Sequence, residues 1–189
     1  GVTIDRARDV IADIYDASNK LGQSQKPLIQ VWTVKDAQEY VPNPASYLVG
    51  KNVICKGQTS VIVGPGGVGK SRLARYLATC GARGSGSWMG YEISRSFRTF
   101  ILQAEDHPGR LAEEAKEVDA GLCQNWVRWS LPTFLQFDNA AFRSELRRFW
   151  ESWPFDLLVL DNFNHIAKAD DREATMDGLQ SIYRSLPTY

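Results

Sequence analysis

Gly64-Pro65-Gly66-Gly67-Val68-Gly69-Lys70-Ser71 satisfies the pattern G-x-x-x-x-G-K-[ST] at every fixed position. Just upstream, Ser60-Val61-Ile62-Val63 is a short β-branched run that predicts a buried strand. Downstream, Arg72-Leu73-Ala74-Arg75-Tyr76-Leu77-Ala78 has helical periodicity and good helix formers. Strand, glycine loop and helix form the order that phosphate binding needs. Glycines let backbone N–H groups converge on phosphate oxygens, and the positive end of the helix dipole adds to the attraction. A glycine-rich turn before an ordinary helix would share the glycines, but the flanks favour the phosphate loop. Gly64 to Ser71, with Arg72 behind them, are therefore the expected binding residues for a nucleoside triphosphate. Lys70 would reach the β- and γ-phosphates, and the Ser71 hydroxyl would ligate Mg²⁺.

The bulk properties agree with such a domain without demanding it. A chain of 189 residues, 43% hydrophobic and 23% charged, can build one α/β domain with a substantial core. Its formal net charge of zero argues neither for nor against a nucleic-acid partner. Cys55, Cys80 and Cys123 form no CxxC pair and read as small buried hydrophobes in a reducing compartment. His107 and His165 are too scattered for a zinc site. With no stretch of eighteen apolar residues and no basic-then-apolar start, the expectation is a cytoplasmic protein with no membrane partner.

Two segments are expected. Residues 1–26 hold an amphipathic helix, with Ile4, Ala7, Val10, Ile11, Ile14 and Tyr15 at helical spacing, and a linker. That helix suits either core packing or docking on a neighbouring subunit. Residues 27–189 carry the core. Edge strands are expected within 28–58, and a flexible segment at Gly81–Ser87. Arg98–Ala104 predicts a strand, Pro108 opens a helix to about Leu122, and Asn125–Leu131 predicts another strand. Asp138 is the expected N-cap of a helix from Ala140 to about Trp153, with Phe142, Leu146, Phe149 and Trp150 on one face. The periodicity also puts Arg143, Arg147 and Arg148 in water and the tryptophans in the core. Phe155–Asp161 is a buried strand, and a last helix spans about Arg172–Ser185. Alternating strands and helices imply a mostly parallel sheet with helices on both faces.

The strand Leu157–Leu160 ends on Asp161, which would sit beside Mg²⁺, through a water. The next residue is Asn162, which cannot take up a proton, so a general base must come from elsewhere. Ligands of open α/β sheets bind outside the carboxyl ends of the strands, where the loop, Glu105 and Asp161 all lie. Glu105 is thus the expected water activator, with Asp106 next. Both acids would also suit a helix N-terminus before Pro108. Lys168 and Arg172 could contact DNA, although charges in a loop are more often only solvated.

A carboxylate on the strand after the phosphate loop, with none beside Asp161, resembles the RecA-like ATPases. Gln103-Ala104-Glu105-Asp106-His107-Pro108-Gly109-Arg110-Leu111, the turn Ser87-Trp88-Met89-Gly90 and Leu158-Val159-Leu160-Asp161-Asn162-Phe163 resemble the RepA-like branch, which includes hexameric replicative helicases. The resemblance covers roughly residues 30–189. It implies a RecA-like P-loop NTPase fold, ATP and Mg²⁺ as cofactors, a DNA-processing motor or helicase, single-stranded DNA as partner and a homo-oligomeric ring. It also implies a strand, sensor residues and an arginine or lysine finger beyond Tyr189, so the core is expected to be C-terminally incomplete. ATP over GTP follows from the family, and no N-K-x-D tetrad stands in the chain. A nucleotide-dependent switch or loader acting on a protein partner is the alternative, and a small-molecule kinase fits less well.

Overall fold

In a computed structural model the described residues are 31–104, 107–131 and 139–161. The chain divides into two compact units, Gly1–Val41 and Pro42–Tyr189. The described part of the first contains one short helix, α1 (Val34–Glu39). Thr33 and Asp36 cap it reciprocally: the Thr33 hydroxyl accepts from the Asp36 amide, and the Asp36 carboxylate accepts from the Thr33 amide. Trp32 stacks on Tyr40 at 4.8 Å and is exposed, so the tryptophans are not all core residues.

The second unit begins with an antiparallel hairpin of β1 (Tyr47–Val49) and β2 (Ile54–Cys55). The helix α2 (Lys70–Arg83) follows, then a second hairpin of β3 (Ser87–Trp88) and β4 (Tyr91–Glu92). The main sheet is parallel, in the order β6 (Val127–Trp129), β5 (Thr99–Gln103), β7 (Leu157–Asp161). Between its strands lie α3 (Pro108–Ala115), α4 (Ala120–Cys123) and α5 (Ala140–Ser152). This is an α/β arrangement, a parallel sheet with helices, of the class the sequence predicts. All five residues of β5 are buried, as a central parallel strand covered on both faces must be.

Two apolar clusters form the core, and β5 contributes to the first. Phe100 and Leu102 pack with Leu146 and Phe155, and Phe142, Phe149 and Trp150 of α5 close that cluster. The four apolar positions expected on one face of α5 do share it, and Arg147 and Arg148 lie in water. A second cluster joins both hairpins to α2 through Leu48, Val49, Ile54, Leu77, Cys80, Trp88, Ile93 and Phe97.

Several expectations are corrected. Ser60–Val63 is not a buried strand: it pairs with no described strand, and Val61 and Val63 are 77% and 87% exposed. β-branched residues favour extended backbone, but a strand is stabilised by a neighbour that accepts from its N–H groups and donates to its C=O groups. Gly81–Ser87 is not a flexible link. Gly81 lies inside α2, where a Cβ would come within 2.4 Å of the Phe97 ring, so glycine there permits close packing. Gly84 caps that helix and Ser87 starts β3. The helix from Pro108 breaks at Lys116, and Asp119 caps a separate turn through the amide of Leu122. Asn139, not Asp138, caps α5 by accepting from the amide of Ala141. The expected helices within 3–20 and 172–185, and Asp138 itself, lie outside the described residues.

Asp156 ties the hairpin to the sheet. Its carboxylate meets Lys56 at 2.7 Å and Arg95 at 3.0 Å, and accepts from the Arg98 amide at 3.0 Å. Burial alone would raise this carboxyl, but the three donors hold it below the usual carboxylate range. A depressed folded pKa contributes stability that is present above the unfolded value of about 3.9 and is lost as pH falls through the folded value. Asp156→Asn should therefore cost about 2 kcal/mol at neutral pH, and its deficit against wild type should shrink below about pH 4 in denaturant titrations. Gly81→Ala should also destabilise, by about 2 kcal/mol, because Phe97 is fully buried and cannot yield. On an open helix surface the same change would stabilise by nearly 1 kcal/mol, so the sign of the urea midpoint shift tests the contact.

Candidate functional site

The head of α2 carries the glycine loop. Gly67 and Gly69 have φ of 78° and 89°, in the left-handed region that side chains other than glycine rarely enter. A Cβ added at Gly66, Gly67 or Gly69 would meet nothing within 4 Å, so the loop presents backbone with open space in front of it. Gly69 is the N-cap and offers no side chain to the first-turn amides, and that turn has no acidic residue. An uncapped helix start followed by Lys70, Ser71 and Arg72 has the electrostatics of an anion site. The Lys70 ammonium donates to the carbonyls of Gly64 at 2.9 Å and Pro65 at 2.8 Å, which holds it over the loop.

Asp161 reaches the same place from the other end of the sequence. β7 pairs with β5 over five residues, from Thr99 opposite Leu157 to Gln103 opposite Asp161. Asp161 therefore sits at the carboxyl end of the sheet, where the Ser71 hydroxyl donates to its Oδ1 at 3.0 Å. Two oxygen ligands of the kind Mg²⁺ prefers converge there, so the residues present fit that ion. Among the described residues no group of three or more His, Cys, Asp or Glu could hold a metal by itself. Such an ion would need oxygens from the nucleotide and water as well, which is how Mg²⁺ is commonly held.

Glu105, Asp106 and Asn162 lie outside the described residues, as do His165, Lys168 and Arg172. The strand that leads to Glu105 is well fixed. Gln103 is 1% exposed, its amide donates to Ser130 Oγ at 3.0 Å, and its side-chain nitrogen donates to the Ser130 carbonyl at 2.9 Å. Further along the chain, His107 Nδ1 accepts from the Gly109 amide and caps α3. A largely buried ion pair between Arg75 and Glu114 then joins α3 to the phosphate helix. Sequence patterns missed Gln103, Ser130, Arg75 and Glu114. A polar residue at the end of an apolar run was the visible signal for Gln103. Nothing in the spacing marked the other three.

The hairpin β3–β4 forms the remaining wall. Trp88 Nε1 donates to the carbonyl of Leu73 at 3.1 Å, which pins the hairpin to α2. Its two-residue turn, Met89-Gly90, has φ of 51° and 84°, and Met89 is exposed at the tip. Across from it, Tyr76 projects from α2. A hydrogen bond with the Cys80 thiol pushes the Tyr76 phenol above its ordinary value, and nearby Cys80 charge adds to the rise.

The family model of the AAA domain matches residues 23–186. That span contains the glycine loop, both hairpins and the parallel sheet. No curated protein matches the chain. Among the described residues no helix is long and apolar enough to cross a membrane.

Proposed function

The chain belongs to the AAA domain family, hence to the P-loop ATPases that bind nucleotide, and from that premise we propose a RecA-like motor that hydrolyses ATP with Mg²⁺ to act on DNA. The observation that carries this reading is the 3.0 Å hydrogen bond between Ser71 and Asp161, made beside the glycine loop. Two residues 90 positions apart meet where a phosphate-bound cation would need them.

In this reading the loop amides and Lys70 hold the β- and γ-phosphates and neutralise charge that builds as the terminal phosphoryl group leaves. Ser71 and Asp161 would hold Mg²⁺, Asp161 through a water, and the ion would supply positive charge against the phosphates. Glu105, assigned from its place after β5, accepts a proton from the attacking water, a task Asn162 cannot perform. Arg72, next to the loop, adds positive charge near the α-phosphate. The domain reading is an amphipathic helix and linker at 1–26 and a partial RecA-like ATPase core at 27–189, acting as a homo-oligomeric ring on single-stranded DNA in the cytoplasm.

ATP turnover is the test, measured with and without Mg²⁺ and single-stranded DNA. Chelation of Mg²⁺ should abolish it, and Lys70→Ala, Asp161→Asn and Glu105→Gln should each lower it by about 10²-fold or more. DNA should stimulate the wild type. Turnover indifferent to DNA would favour a switch or loader with a protein partner, and full activity in Glu105→Gln would remove the assigned base.

A further inference from the structure

Arg75 is the charged residue on the buried face of α2. It lies one turn after Ser71 on the same side of the helix, about 6 Å along the axis. Its guanidinium pairs with the Glu114 carboxylate of α3, the two side chains being 8% and 16% exposed. The other carboxylate oxygen of Glu114 accepts from Arg110 Nε at 3.1 Å, on the outer surface of α3. Glu114 thus turns one oxygen to each arginine, and the charged contacts aim one of them at α2.

The pair matters unequally to its two helices. Apolar packing of Leu77 and Cys80 in the hairpin cluster already holds α2. By contrast, α3 fully buries none of its residues, and Leu111, Glu114 and Ala115 are only partly covered. Packing of an apolar face supplies most helical stability in proteins, so α3 has little of that kind to fix it on its neighbour. An ion pair largely out of water is costly to form, and apolar side chains of similar volume would hold two helices at least as firmly. What the pair adds is direction. A guanidinium and a carboxylate specify angle as well as distance, where apolar surfaces can slide.

We propose that the Arg75–Glu114 pair transmits phosphate binding at the glycine loop to α3. The inference rests on the nucleotide-binding reading above and adds where binding is felt. A phosphate held by the loop amides, Lys70 and Ser71 fixes the first turn of α2. The helix carries that restraint to Arg75, because residues 71 and 75 turn together about one axis. Motion of that turn misaligns the pair and releases α3, so fixing the turn makes opening of α3 rarer.

Amide hydrogen exchange of the full chain, with and without ADP and Mg²⁺, tests this without hydrolysis. ADP should slow exchange in α3 about tenfold, as well as in the first turns of α2. Glu114→Gln keeps the shape of the side chain but not its charge, and should cut the slowing in α3 to about threefold or less. In the double variant Arg75→Met/Glu114→Met the slowing should vanish from α3, while α2 still responds and the ADP dissociation constant stays within about threefold of wild type. Arg110→Ala removes only the exposed pair and should leave the α3 response within about twofold. The proposal is overturned if α3 of the wild type ignores ADP, if its response is undiminished in either pair variant, or if Arg110→Ala removes it as completely. Loss of ADP affinity together with the α3 response in Glu114→Gln overturns it too, because the pair would then belong to the binding site itself. If ADP does not bind the wild type, the phosphate-loop reading fails first and takes this inference with it.

Discussion

The parallel pairing of β5 with β7 is the constraint from which the candidate site follows. Five consecutive register pairs fix the height of every residue along both strands, and the last pair is Gln103 with Asp161. A slip of one residue would turn Asp161 to the opposite face of the sheet. It would then be out of reach of Ser71. The ladder continues past the strand ends, with the Ala104 amide donating to the Asp161 carbonyl at 3.0 Å. At the amino end, Asp156 accepts from Arg98 while Lys56 and Arg95 neutralise it. Register is thus fixed at both ends of β7, by backbone near the loop and by charge away from it.

Elements whose formation depends on local chemistry could be read from the sequence. The glycine loop, the helix after it and β5, β6, β7 and α5 all lie where pattern and propensity put them, within a few residues. The apolar run ending in Asp161 gave one member of the candidate site and the loop gave the rest. What could not be read depends on distant partners. Ser60–Val63 has every local mark of a strand and forms none with the described residues. Gly81 looks like a loop residue by type, yet it belongs to a helix because Phe97, sixteen residues on, needs its missing Cβ. The break after α3 is similar: Asp119 provides a local cap that competes with helix continuation. Charge pairs such as Arg75–Glu114 have no spacing signature at all.

One helix does two jobs, and the division explains its sequence. The head of α2 must stay uncapped and free of acids to keep its positive end, so stability comes from elsewhere in the helix. Its buried face supplies that through Ala74, Leu77, Ala78, Cys80 and Ala82. Small residues dominate there because the sheet and the hairpins approach closely, Gly81 being the extreme case. The remaining face carries Arg72 and Tyr76 into the open, Tyr76 being 51% exposed, so that face adds little to the core.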